Sequence, residues 1–387
     1  MYLENLKLKS FRNYHETELE FSPGINVLIG ENAQGKTNLL EAIYVLAMTR
    51  SHRTSNDREL IEFSERNAFL EGVIAKNTGC LRLSLSLSNK GKTGRVNHLE
   101  TPRLSQYIGN LNVILFSPED LSLVKGAPTV RRRFIDMEFG QIDATYLYEL
   151  TQYRTILKNR NAYLRQLQMK QANDRIYLEV LTDQLVESGA RIIAKRLEFL
   201  KDLEGYARDL QKDITQGREN LSFRYKSTVN LDEAGEDQKT IAERMKRELS
   251  AVSDRETFQG TTLIGPHRDD VTFMVNDRNV QTYGSQGQQR TTALAVKLAE
   301  IGLMHDRTGE YPVLLLDDVL SELDGKRQTH LLKTIQDRVQ TFLTTPGLND
   351  VARQLIREPR MFRIHAGSIQ EEPQTVTFHP KTGEDTN

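Results

Sequence analysis

Eight residues near the start of the chain, Gly30-Glu31-Asn32-Ala33-Gln34-Gly35-Lys36-Thr37, fit the pattern GxxxxGK[ST]. This is the spacing of a phosphate-binding loop. Its glycines let successive backbone N–H groups close around an anion, and a helix N-terminus points at it. Lys36 can reach β- and γ-phosphates, and the Thr37 hydroxyl can ligand Mg²⁺. An apolar run, Ile25 to Ile29, precedes the loop and a stretch with helical spacing follows it, the strand–loop–helix setting that the motif requires. A second group of acids lies far downstream. Val313-Leu314-Leu315-Leu316-Asp317-Asp318 is an apolar strand ending in two carboxylates, the Walker B pattern. Asp317 is the metal-side candidate, expected on a strand beside that of the phosphate loop, and Asp318 is placed to orient or deprotonate a water. Lys36, Asp317 and Asp318 are therefore the candidate catalytic residues for hydrolysis of ATP, with Mg²⁺ as cofactor.

Gly30 and Asp317 are 287 residues apart (317 − 30), which calls for an insertion inside the nucleotide domain. Between them, Ser285-Gln286-Gly287-Gln288 precedes a helical stretch from Thr291 to about Met304. It resembles the S-x-G-Q core of the ABC-type signature motif, a second set of N–H groups and a small hydroxyl suited to a phosphate. One chain uses its own phosphate loop for its own ATP. The signature loop is therefore expected to face the nucleotide of another copy, in an isologous two-fold dimer. Ser321-Glu322-Leu323-Asp324 matches the D-loop of that superfamily, making Ser321 and Asp324 candidate dimer contacts. Two positions depart from the superfamily pattern. Thr344-Thr345 stand where many relatives carry a switch histidine, and Phe116-Ser117-Pro118-Glu119-Asp120 lacks the Q-loop glutamine. Both departures point to slow hydrolysis, a switch more than a motor.

The elements that position these groups follow from periodicity. Residues 1–29 read as two or three short strands, with Pro23-Gly24 as a turn, and Thr37 to Met48 as a helix with Leu39, Leu40, Ile43, Leu46 and Ala47 on one face. Ala68 to Ala75 reads as a strand, Leu81 to Leu87 alternates with polar residues, and Leu111 to Phe116 reads as a buried strand. From about Gln141 the steps become three and four residues, first through Leu147, Leu150, Arg154, Leu157, Asn161 and Leu164. They resume from Leu178 to Ile214. These are two long amphipathic helices with a turn at Asn173-Asp174, and a short helix at Thr240–Leu249 completes the insert. Strand patterns return at Val271–Asn276, Val280–Tyr283, Pro312–Leu316, Thr341–Thr344, Met361–His365 and Thr375–Phe378. The expected architecture is α/β. A split ABC-type ATPase head occupies 1–140 and 260–387, with a β-rich subdomain at about 66–116, and a helical lobe is inserted at 141–259.

Composition limits the function classes. The chain of 387 residues is 38% hydrophobic and 27% charged, with no apolar run long enough to span a bilayer and no export pattern at its start. A single cysteine, Cys80, excludes an intrachain disulfide and a cysteine-based zinc site, and reads as a half-buried strand residue. A cytoplasmic location is the expectation. The net charge of −1 is uninformative about nucleic acid, but basic residues cluster. Arg50, His52 and Arg53 follow the first helix, and Arg131-Arg132-Arg133 lie before the insert as candidate contacts to DNA phosphates. Acidic residues gather in 232–237 and in the C-terminal tail.

Together these residues resemble the RecF family of bacterial DNA replication and repair proteins. The resemblance runs through Leu8-Lys9-Ser10-Phe11-Arg12-Asn13-Tyr14, the loop at 30–37, Arg50-Ser51-His52-Arg53-Thr54 and Phe116–Leu121. It continues through Arg131–Asp136, Gly265-Pro266-His267-Arg268-Asp269-Asp270, Ser285–Arg290 and Leu315–Asp324. It implies a head similar to those of Rad50 and SMC proteins, with a helical lobe in place of long coiled coils. It also implies ATP-dependent dimerisation on duplex or gapped DNA, slow DNA-stimulated hydrolysis, and a part in recombinational repair and the SOS response. RecR, and through RecO and RecR the loading of RecA at gaps, are the implied partners. Arg12 resembles the N-terminal arginine that contacts nucleotide phosphate in SMC-like heads. Two rival classes share these motifs. A transporter ATPase subunit is disfavoured by the long insert and by Thr344-Thr345. An architectural DNA-bridging head would carry far longer coiled-coil arms.

Overall fold

A computed structural model of the chain describes residues 1–231, 237–336, 338–347 and 356–372. The strand expected at Thr375–Phe378 and most of the acidic stretch at 232–237 lie outside the described residues. The central sheet has six strands in the order Ser368–Glu372, Arg360–His365, Ile25–Ile29, Thr341–Thr345, Val313–Asp317, Val113–Phe116. All neighbours pair in parallel except the outermost pair at the Ser368–Glu372 edge. The strand Thr341–Thr345 therefore lies between the phosphate-loop strand and the Walker B strand, correcting the expectation that those two are neighbours.

A parallel sheet covered on both faces needs continuous apolar runs, which is why Leu314, Leu315 and Leu316 follow one another without polar interruption. On one face Leu28, Leu315, Phe342 and Phe362 pack with Leu39, Ile43 and Leu46 of the helix Lys36–Met48. That core continues into a six-stranded antiparallel sheet built from residues 2 to 100. On the other face Val27, Leu314, Leu316 and Leu343 pack with Leu294, Leu298 and Ile301 of the helix Gln286–Thr308, and with Leu331 and Ile335 of the helix Gly325–Ile335. The two helices that begin at the candidate phosphate loops thus lie on opposite faces of one sheet.

The lobe is dominated by helices Ala144–Gln168 and Arg175–Thr215. Asp174 caps the second by accepting from the amides of Ile176 and Tyr177. Leu185, Ile192 and Leu203 join Ala295, Val296 and Ala299 of the helix Gln286–Thr308 in one core, so lobe and head share a hydrophobic interior. The short helix expected at Thr240–Leu249 spans Gln238–Ala251. Four features depart from the sequence reading. A helix at Pro128–Ile142 precedes the lobe. The segment Leu221–Lys226, inside the expected helical insert, is a strand paired antiparallel with Asp270–Val275. Val280–Tyr283 is one helical turn capped by Asn279, because four residues carry no decisive period. Cys80 is exposed rather than half-buried.

Candidate nucleotide site

The loop Gly30–Thr37 leaves the central sheet at Ile29 and enters the helix Lys36–Met48. Each glycine has its own reason. A Cβ on Gly30 would stand 2.3 Å from the carbonyl oxygen of Ile364, so the neighbouring strand forbids any side chain there. Gly35 has φ +118°, in the region that glycine alone enters cheaply, and a Cβ there would meet Asn13 at 2.6 Å. The outside of the loop is held by the N-terminal hairpin and by a turn after Arg360–His365. The Tyr14 hydroxyl donates to the Gly35 carbonyl at 2.9 Å, and Asn13 Nδ2 donates to the Gln34 carbonyl. The amide of Gly367 also donates to the Gln34 carbonyl, and that of Ala366 to Gln34 Oε1 at 2.7 Å. Lys36 Nζ donates to the carbonyls of Gly30 and Glu31. Burial pulls its pKa below the ordinary value, while Asp318 and Asp317 push it back up.

The downstream acids meet this loop. Thr37 Oγ1 donates to Asp317 Oδ1 at 3.0 Å, across 280 residues of sequence. The intervening strand contributes Thr344, whose hydroxyl donates to the same carboxylate oxygen at 2.9 Å. Thr344 Oγ1 in turn accepts the Asp318 amide at 2.9 Å. Thr344, noted in the sequence only for the missing histidine, therefore aligns both acids. Asp318 has φ +53°, a left-handed conformation that costs most non-glycine residues about 1–2 kcal/mol and that short polar side chains such as Asp adopt most readily. Its carboxylate makes no hydrogen bond among the described residues, and Ser321 Oγ donates to its backbone carbonyl at 2.7 Å. A glycine cradle, an ammonium, a hydroxyl and a carboxylate at hydrogen-bonding range fit a nucleoside triphosphate with Mg²⁺.

Arg12 is committed elsewhere than to an open site. Its guanidinium is bidentate to Glu41, Nε to Oε2 at 2.9 Å and Nη2 to Oε1 at 2.8 Å. Glu41 is fully buried, and burial would raise its pKa, but hydrogen bonds from Arg12 and Ser51 outweigh that and hold it below the usual range. Arg53 also reaches this carboxylate, at 3.4 Å. Glu41 escaped the sequence reading, although a carboxylate between Leu40 and Ala42 on an apolar helix was the available signal.

Ser285–Gln288 forms the start of the helix Gln286–Thr308. Ser285 Oγ accepts the Gln288 amide at 3.2 Å and Gln288 Oε1 accepts the Ser285 amide at 2.9 Å, a capping box with Ser285 and Gln286 exposed. Asp324 caps the helix Gly325–Ile335 and pairs with Arg327. Arg327 also donates to the Gly287 carbonyl at 3.0 Å and to Thr291 Oγ1 at 2.7 Å. This arginine, not singled out in the sequence, ties the D-loop helix to the signature loop. Among the described residues no hydrogen bond joins Ser285–Gln288 to Gly30–Thr37.

The arginine run is divided. Arg131 is 4% exposed and bidentate to Asp270, at 2.7 and 2.9 Å, so it braces the junction with the lobe and is corrected as a candidate contact to DNA. Arg132 is half-buried and donates to the Asp269 carbonyl, and only Arg133 is exposed. Asp269 of the Gly265–Asp270 motif accepts from Tyr225, Ser227 and Thr228. His267 Nδ1 lies 2.7 Å from the Tyr153 hydroxyl, and burial pushes its pKa down to about 4.

The model of the RecF/RecN/SMC N terminal domain matches residues 2–354. The DNA replication and repair protein RecF of Ligilactobacillus salivarius (strain UCC118) is 64% identical over 372 residues, covering 96% of this chain and 98% of its own. The protein of the same description from Bacillus velezensis is 54% identical over 369 residues, covering 95% of this chain and all of its own. Among solved structures, the recombination mediator protein RecF with ATP, in the RecFOR pathway, is similar with a TM-score of 0.89 at 33% identity, over 96% of this chain and 98% of that one. An Smc head bound to the C-winged helix domain of ScpA has a TM-score of 0.55 at 14% identity, a likeness of fold alone.

Proposed function

The chain belongs to the RecF family of DNA replication and repair proteins, and from that premise we propose that ATP joins two copies of it on DNA and that slow hydrolysis releases them. One observation carries the reading. Within a protomer the helices that start at Lys36 and at Gln286 lie on opposite faces of the central sheet, and among the described residues no hydrogen bond joins the two loops they start from. A second copy related by a two-fold axis would bring each exposed Ser285–Gln288 loop over the other's Gly30–Thr37 loop. In that arrangement Lys36 holds the β- and γ-phosphates, and the Ser285 hydroxyl and the Gly287 amide close over the γ-phosphate from across the interface.

Magnesium, when bound, neutralises phosphate charge, and Thr37 and Asp317 are the residues that would hold it. Thr344 keeps the Asp317 carboxylate turned toward Thr37. Asp318 accepts a proton from the attacking water, its unbonded carboxylate carried at the strand tip. Ser321 and Asp324, beside Asp318 and Arg327, contribute to the dimer contact. With neither glutamine at 116–120 nor histidine at 344–345, few groups sense the γ-phosphate, and turnover is slow.

Duplex and gapped DNA are the proposed substrates, engaged in the cytoplasm during repair and the SOS response. The family's association with the RecFOR pathway supports RecO and RecR as partners and RecA loading at gaps as the outcome. Light scattering with and without ATP tests the dimer. The intact chain should double in mass with ATP, Ser285→Arg should remain monomeric, and Asp318→Asn should stay dimeric for longer. Undiminished dimers of Ser285→Arg would remove the shared site, and unchanged turnover of Asp318→Asn would remove its role as base.

A further inference from the structure

At the far end of the phosphate-loop helix, a cavity of about 260 Å³ opens between residues 48–50, the helix Pro128–Ile142, the helix Ala144–Gln168 and the turn at Pro266-His267. Five guanidiniums line it, those of Arg50, Arg132, Arg133, Arg154 and Arg196, against the single carboxylate of Asp136. Both oxygens of Asp136 are taken, one by Arg196 at 2.7 Å and the other by Arg154 at 3.0 Å. Arg132 has only a backbone carbonyl, and Arg50 and Arg133 have no hydrogen bond or ion pair among the described residues. His267, whose pKa burial pulls down to about 4, adds no further positive charge at pH 7. Burial pulls the Arg50 pKa below its ordinary value, and the charges of Arg154 and Arg133 act in the same direction. Gathering like charges in a recess costs free energy that a bound anion offsets.

The shape narrows the anion. Much of the rest of the wall is apolar, with Met48, Ile108, Met137 and Leu147 beside Thr129 and Tyr153, so the recess suits a phosphate carried on a sugar and base. A phosphodiester inside a strand carries one charge and is flanked by chain in both directions, which suits an open groove. A terminal phosphate monoester carries nearly two charges at pH 7, offers three acceptor oxygens and can enter end-on. We propose that this recess binds a nucleoside 5′-phosphate group, either the 5′ end of a DNA strand or a free nucleotide, with Arg50 and Arg133 as its ligands. The site requires neither ATP nor a second copy, and so goes beyond the function proposed above.

The test compares gapped duplexes that carry either a 5′-phosphate or a 5′-hydroxyl at the gap, in fluorescence-anisotropy titrations of the intact chain. A calorimetric titration with thymidine 5′-monophosphate, run with saturating ATPγS, forms the second arm. The phosphorylated gap should bind about tenfold more tightly than the hydroxyl gap, the effect of one or two charge-assisted hydrogen bonds. Arg50→Ala and, on the exposed rim, Arg133→Glu should abolish that preference, with Arg50→Ala leaving affinity for the hydroxyl gap within twofold. A mononucleotide that binds the intact chain but not Arg50→Ala, with no preference between gaps, would support the recess and identify its ligand as free nucleotide. Equal affinity for both gaps together with no mononucleotide binding overturns the proposal, as does a phosphate preference that survives both variants. Failure of both gaps to bind would count against the DNA-binding reading, and binding of the mononucleotide to the intact chain but not to Arg50→Ala would then decide for or against the recess.

Discussion

Single side chains decide the chemistry at the phosphate loop. Thr344 aligns Asp317 and Asp318 by donating to one side chain and accepting from the other's amide. Thr344→Val keeps the shape but leaves that amide without its partner, at a cost of about 1–3 kcal/mol. Phosphate-release assays should find turnover at least tenfold lower and a greater need for Mg²⁺, and unchanged kinetics would deny Thr344 this role. His267 makes a second case. Its folded pKa of about 4 lies below the ordinary 6.5, so the fold favours the neutral ring. That contribution is complete above pH 6.5 and is lost as pH falls from 6.5 toward 4, by on the order of 3 kcal/mol. Urea titrations across this range should give His267→Gln a shallower loss of stability than the intact chain, and parallel curves would refute the assignment. Lys36, Thr37 and Asp317 were legible in the sequence because motif spacing encodes their meeting. The pairing of Arg12 with Glu41 was not, since two isolated charges carry no spacing until the hairpin brings them together.

Elements carry the coupling between the parts. The helix Gln286–Thr308 touches the central sheet, the lobe and the signature loop at once, and Lys297 sits at the middle of it, 4% exposed. Burial works against its ammonium, but Glu300 and Glu138 outweigh that and raise its pKa. Glu138 comes from the helix Pro128–Ile142, where Gln141 also bonds its carboxylate at 2.9 Å. Lys297→Met would leave two buried carboxylates facing each other, a loss of about 3–5 kcal/mol. Adding Glu300→Gln should restore part of it, and equal stability of the single variant and the intact chain would show the cluster to be incidental. Lys297 and Glu300 stand one turn apart beside Leu294, Leu298 and Ile301, so a charged pair on an apolar face was visible in the sequence. The helix Pro128–Ile142 was not, because its three arginines obscure its apolar face. The alternation Leu221, Phe223, Tyr225 does mark a strand, but it was submerged in a segment read as helical.

At the scale of the whole molecule, the proposed function requires a second copy. The chain's two candidate phosphate-binding N-termini lie on opposite faces of one sheet, and its lobe shares a core with the helix that bears the signature loop. The split of the head was legible from the 287 residues between Gly30 and Asp317, because two motifs that hold one nucleotide must meet in one sheet. The order of strands in that sheet was not, since parallel neighbours need no sequence proximity. The sharpest test of a site shared between two copies mixes two inactive variants, Lys36→Ala and Ser285→Arg, and measures ATP hydrolysis on DNA. Each alone should be inactive, the first lacking a phosphate loop and the second a signature loop. A mixed dimer regains one of its two sites, so an equimolar mixture should recover activity, up to roughly half that of the unaltered chain when neither variant pairs with itself. A mixture no more active than its separate components would contradict the account.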